Sequence, residues 1–139
     1  MAHDCIFCSI VDGAIPCHTV YETDETLAFL DANPLEPGHA LVIPKTHHER
    51  LGDLPTELAA AVWETVSELG PQIEFAVGAD SMTIGMNDGA AAGQEVPHVH
   101  VHLVPREQGD GAGPIHAAFP GQQDVPDEEL AELAESIRS

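Results

Sequence analysis

Positive charge is the scarcest property of this sequence: four Lys and Arg stand against 24 Asp and Glu, for a formal net charge of -20 at pH 7. Wrapping nucleic acid takes Lys and Arg against phosphates, so that class of function is excluded. Aromatic residues are also few, 4% of the chain against 43% for all hydrophobic types, which leaves Leu, Val, Ile and Ala to build the core. No apolar run approaches the roughly 20 residues of a membrane-spanning helix. The opening Met1-Ala2-His3-Asp4-Cys5 has neither the basic stretch nor the apolar segment of a secretory leader. The expectation is a cytoplasmic protein with no membrane partner. Three cysteines, an odd number, argue against a disulfide framework.

What is present fits one domain over residues 1–139. The acidic residues are scattered along the chain rather than gathered in a tail, so the whole surface is acidic. Self-repulsion then opposes folding in dilute buffer. In molar salt the screening length falls to about 3 Å and the repulsion largely disappears. The composition is that of a halophile's cytoplasmic protein. Its melting temperature should therefore rise steeply between low and molar salt, and equal melting temperatures in the two would refute this reading.

Short β-type runs at 19–22, 26–31, 40–44, 81–87 and 99–105 are bounded by turn signals such as Asn33-Pro34 and Pro37-Gly38. Leu58, Val62, Val66, Leu69, Ile73 and Val77 recur at helical spacing and predict one long helix with an apolar face. Gly70-Pro71 interrupts it, but the stripe keeps phase, which favours a kink over two helices. Leu130, Leu133, Ala134 and Ile137 mark a second helix over 127–137, and the Gly- and Pro-rich stretch 109–123 reads as a surface loop. The sum is an α+β fold: an antiparallel meander sheet of about five strands, a long central helix and a C-terminal helix.

The chemistry is concentrated in Gly93-Gln94-Glu95-Val96-Pro97-His98-Val99-His100-Val101-His102. On a strand, alternation turns His98, His100 and His102 to one face and Val99, Val101 and Leu103 to the other. From His98 to His102 is about 13 Å at about 3.3 Å per residue, too far for all three to bind one metal ion. The three imidazoles therefore have different partners. Cys5-Ile-Phe-Cys8 has the knuckle spacing of a metal site, while Cys17 is left over as a thiol without a task. His3, His18, His39 and His116 read as ordinary loop residues.

The run His98-x-His100-x-His102-Leu-Val-Pro, with Gly93-Gln94 before it, resembles the defining motif of the histidine triad (HIT) nucleotide-binding proteins. The resemblance extends to Leu27-Ala-Phe-Leu-Asp31, Pro37-Gly38-His39, Val42-Ile-Pro-Lys45-x-His47 and Asn87, and thins after Arg106. Cys5 and Cys8 place it nearer the prokaryotic, zinc-bearing branch. It implies the HIT-like fold and hydrolysis of a purine nucleoside monophosphate derivative, a phosphoramidate or acyl adenylate, by way of a nucleotidyl-histidine. His100, central in the row, suits the nucleophile, and His102, Asn87 and Gln94 suit contacts to the phosphate. Gly93 belongs to a turn that can add backbone N–H groups. The resemblance puts Asp31 on the ribose hydroxyls and Phe7 and Phe29 on the base, although both rings serve equally as core. It also implies a structural Zn²⁺ on Cys5, Cys8, His47 and His98, a closed tetrahedral set, with His48 the alternative to His47. A homodimer is implied by the resemblance alone.

Two other readings stay open. His100 and His102 can chelate one ion in a metal-dependent hydrolase, though their strand carries no carboxylate beside them. Alternatively, the triad walls the pocket of a nucleotide-binding module without turnover. Lys45 and Arg106, two of the four cations, flank the motifs and are candidates to offset the acidic field near a phosphate.

Overall fold

The computed structural model describes residues 4–138; His3 lies outside the described residues. The order of elements is α1 (Ile6–Val11), β1 (Thr19–Glu22), β2 (Thr26–Leu30), β3 (Ala40–Pro44), α2 (Thr56–Val77), β4 (Ser81–Gly85), β5 (Val101–Arg106) and α3 (Asp127–Arg138). All strand pairings are antiparallel. The first three strands run as a meander, but β5 inserts between β3 and β4, so the sheet reads β1-β2-β3-β5-β4 and leaves β4 at an edge. That insertion places the histidine strand at the inside of the sheet, beside β3.

The sheet carries a layer on each face. On one, Val62, Val66, Leu69 and Ile73 of α2 are buried against Ala28, Ala40, Val42, Val101 and Leu103. Fully burying one such aliphatic side chain contributes about 1.5–3 kcal/mol, so this stripe outweighs the weak propensities of the strands. Thr26 and Thr65, both buried, satisfy each other through hydroxyls 2.8 Å apart. Helix α2 runs unbroken through Gly70-Pro71, one helix as the unbroken phase of its stripe requires.

On the other face Cys5, Phe7, Leu27, Phe29, Leu41 and Ile43 form a second cluster. Phe7 comes from α1, a helix the sequence patterning does not reveal because it is only six residues long. Its N-cap is Cys5, whose Sγ accepts from the Cys8 N–H at 3.4 Å. Coverage from both sides explains why β2 and β3 are almost wholly buried rather than alternating.

Gly38, in the turn before β3, has φ +99°, and a Cβ there would lie 3.0 Å from Val77 and 3.1 Å from Pro105. Only glycine joins that turn to the α2 end of the core. The predicted loop 109–123 is irregular apart from one 3-10 turn at Ile115–Ala118. Helix α3 forms where its stripe predicts, but none of its residues is buried, and Ile137 is 82% exposed. No described helix is long and apolar enough to cross a membrane.

Candidate functional site

Strand β5 begins at Val101, so His98 and His100 sit in the segment leading into it and His102 on the strand itself. Val99, Val101 and Leu103 are fully buried, as the alternation requires. His98 and His100 are buried too, at 0% and 7% exposure, because α1 covers their side of the sheet. The Phe7 ring stands edge-on to both, with centroids 5.9 and 5.1 Å away, and packs on Phe29 at 5.6 Å.

Each histidine of the row has a different partner. The Nε2–H of His98 donates to the Pro44 carbonyl at 2.9 Å. Its Nδ1 faces Cys5 Sγ at 3.4 Å and Cys8 Sγ at 3.5 Å. Burial pushes His98 down to about 4, so it is a neutral ring with its lone pair turned to the two sulfurs. His100 Nδ1–H donates to the His98 carbonyl at 2.8 Å, which leaves its Nε2 lone pair without a partner among the described residues. His102 Nδ1 lies 3.0 Å from His39 Nε2, and burial lowers His102 to about 4. The rings of His100 and His102 are 5.1 Å apart.

Cys5, Cys8, His47 and His98 bring their ligand atoms within 4.8 Å of one another. Cys8 Sγ is 3.3 Å from His47 Nδ1, whereas His48 turns its Nε2 to the Thr46 hydroxyl at 3.0 Å. Burial and the neighbouring Cys5 sulfur push the Cys8 thiol up to about 11, so Cys8 becomes a thiolate at neutral pH only with a cation beside it. Two sulfurs and two imidazoles, one of them already held by a backbone carbonyl, fit a closed tetrahedral metal site.

The loop between β4 and β5 is braced by Gln94. Its Oε1 accepts from Gly89 N–H at 2.7 Å, and its amide donates to the carbonyls of Glu49 and Val96 at 2.8 and 3.0 Å. The N–H groups of Ala92, Gly93 and Gln94 all bond to carbonyls within the loop. Gly93, at φ +103°, lies against the exposed Asn87 amide: a Cβ there would be 3.7 Å from Asn87 Nδ2. Asp31 follows β2, and its Oδ1 accepts from Asn33 N–H at 2.9 Å. Lys45 is paired with Glu22 at 2.7 Å and Arg106 with Asp110 at 2.7 Å, so both cations already have carboxylate partners.

His39 is the site residue that sequence reasoning missed. It is 2% exposed and touches His102, with Asp31 Oδ2 3.6 Å from its Nε2. The only signal was its place in Pro37-Gly38-His39, one residue before a buried strand.

Fold and site together define an α+β domain with an alternating histidine row and a cysteine-histidine knuckle. The model of the HIT domain family matches residues 12–109, and the chain belongs to that family. An adenylylsulfatase of Arabidopsis thaliana is 43% identical over 79% of this chain, which spans 56% of that protein's length. Adenosine 5'-monophosphoramidase of Schizosaccharomyces pombe is 38% identical over 97% of this chain and 96% of its own. The crystal structure of a Zn-bound histidine triad family protein from Mycobacterium smegmatis superposes with a TM-score of 0.76 at 35% identity, covering 98% of this chain and 99% of that one.

Proposed function

We propose that this protein hydrolyses purine nucleoside monophosphate derivatives of the phosphoramidate or acyl adenylate type, with His100 as nucleophile. The carrying observation is the 2.8 Å hydrogen bond from His100 Nδ1–H to the His98 carbonyl. It fixes the tautomer whose Nε2 is an unprotonated nucleophile. Attack of Nε2 forms an N–P bond as the bond from phosphorus to the leaving group breaks; an amine leaves with that electron pair and a proton taken from water, and a carboxylate leaves with the pair as the anion. Water then cleaves the N–P bond and releases the nucleoside monophosphate. His102 and Asn87 contact the phosphate with neutral donors, a fitting choice where Lys45 and Arg106 are already paired. Gln94 serves by holding the loop that carries Gly93 against Asn87. Asp31 takes the ribose hydroxyls, and Phe7 and Phe29 border the base.

Cys5, Cys8, His47 and His98 hold a structural Zn²⁺, as in the prokaryotic zinc-bearing branch. The ion ties α1 to the start of the histidine row, while His100 stays outside the ligand set. The acidic surface suits a saline cytoplasm. A second copy of the chain in a homodimer would cover the open β4 edge and the exposed apolar side chains of α3. The names of the adenylylsulfatase and monophosphoramidase relatives support this reaction class.

Acid-free quenching of the wild type during turnover of an adenosine phosphoramidate should trap a nucleotidyl group on His100, labile to acid and stable to base. A binding module forms no adduct, and turnover without one would point to the metal-dependent reading.

A further inference from the structure

Asp31, His39 and His102 also bring their ligand atoms within 4.8 Å of one another. By donor type alone, two imidazoles and a carboxylate could chelate a divalent cation. The hydrogen bonding excludes it. Leu35 N–H donates to His39 Nδ1 at 3.1 Å, and a backbone amide can only donate, so Nδ1 carries no proton. Burial lowers both His39 and His102 from their ordinary value, and both rings are neutral at neutral pH. A neutral His39 then carries its proton on Nε2. That atom cannot also ligate a metal unless the ring becomes an imidazolate.

The Nε2 proton of His39 has its hydrogen-bond partner in His102 Nδ1 at 3.0 Å, since Asp31 Oδ2 at 3.6 Å lies beyond hydrogen-bond distance. His102 Nδ1 is therefore an acceptor, and its own proton must reside on Nε2, which has no partner among the described residues. We propose that His39 is a positioning residue: the relay Leu35 N–H to His39 to His102 fixes His102 as the Nε2–H tautomer and so presents a donor to an anionic phosphoryl oxygen. The opposite tautomer would turn a lone pair towards that anion.

The consequence is a division of labour within one row. His100, held by the His98 carbonyl, is the Nδ1–H tautomer and offers a lone pair. His102, two residues on and held by His39, is the Nε2–H tautomer and offers a proton. Alternation gives the two rings a common face, and their backbone and side-chain partners give them opposite roles. The use of this donor rests on the reading that His100 attacks phosphorus; the tautomer itself does not.

The test combines spectroscopy with two variants. The ¹⁵N spectrum of histidine-labelled wild type at pH 7 should show His102 protonated on Nε2 and bare on Nδ1, with the reverse for His100. A protonated Nδ1 on His102 overturns the proposal, whatever any variant does. His39→Leu removes the donor and should lower kcat on adenosine phosphoramidate by about 100-fold, the scale of losing one oxyanion donor, while mixing the His102 tautomers. His39→Gln keeps an N–H and should restore kcat to within about tenfold of wild type, with the Nε2–H signal of His102 retained. Equal loss in both variants with an unchanged His102 spectrum would overturn it, as would a second equivalent of Zn²⁺ bound at Asp31, His39 and His102. An absent adduct on His100 would sink the functional reading instead and leave the tautomer measurement standing.

Discussion

His100→Asn is expected to leave nucleotide affinity within about tenfold of wild type, roughly 1.4 kcal/mol, and to lower turnover by about a thousandfold or more. The two effects separate because Asn keeps a polar side chain of similar reach but has no basic nitrogen to form the N–P bond, so covalent catalysis is lost and not merely weakened. Folding should survive. His100 is buried against Phe7, but its one protein hydrogen bond is to the carbonyl of His98, and an Asn amide can also donate there. Zinc content should not change, since His100 lies outside the Cys5, Cys8, His47 and His98 cluster. Steady-state rates and equilibrium binding of AMP, measured on the same preparation with metal analysis, decide the matter. Near wild-type turnover in His100→Asn would refute the mechanism, and recovery of turnover on adding metal would favour the chelating alternative.

Cys5→Ser should produce the largest loss of stability. Protein purified without added zinc should contain about one equivalent of the metal, and the variant should contain little. Cys5 is 7% exposed, caps α1 and stands 3.4 Å from His98 Nδ1, so the substitution removes a zinc ligand and loosens the helix that covers the histidine row. Structural zinc sites carry on the order of 10 kcal/mol or more of binding free energy, all of it coupled to folding. Losing only about 3 kcal/mol of this would lower the melting temperature by roughly 10 °C in a domain of this size. The rate per folded molecule should fall much less than stability, because no zinc ligand is asked to touch substrate. A metal-free wild type with unchanged melting temperature, or a bound zinc with an open coordination position, would sink the structural assignment.

Parts of the site were legible because they are written in local periodicity. The alternation of His98, His100 and His102 against Val99, Val101 and Leu103 reads directly as two faces of one extended segment, and the α2 stripe reads as one face of a helix. The boundaries were less secure: β5 starts two residues later than its pattern, and β4 ends two residues earlier. Helix α1 escaped because six residues make less than two helical turns and leave no period to detect. His39 escaped for another reason. A single histidine at a strand start looks like any loop residue until its neighbour across the sheet is known.

By itself, then, the sequence determined the alternation of the histidine row, five strands and the two long helices, and that the surface is overwhelmingly acidic. These follow from side-chain type and from chain periods of two and 3.6 residues, which need no knowledge of distant contacts. The tertiary structure alone decided which groups meet. Pairing Ala40 with Leu103 and Leu41 with His102 sets His39 diagonally across from His102, close enough for imidazoles to hydrogen-bond. The same packing turned His47 to the sulfurs and His48 to Thr46. Residue type does not separate two adjacent histidines; the family spacing Pro44-Lys45-x-His47 favours His47, and the direction in which the folded backbone points each side chain agrees with it.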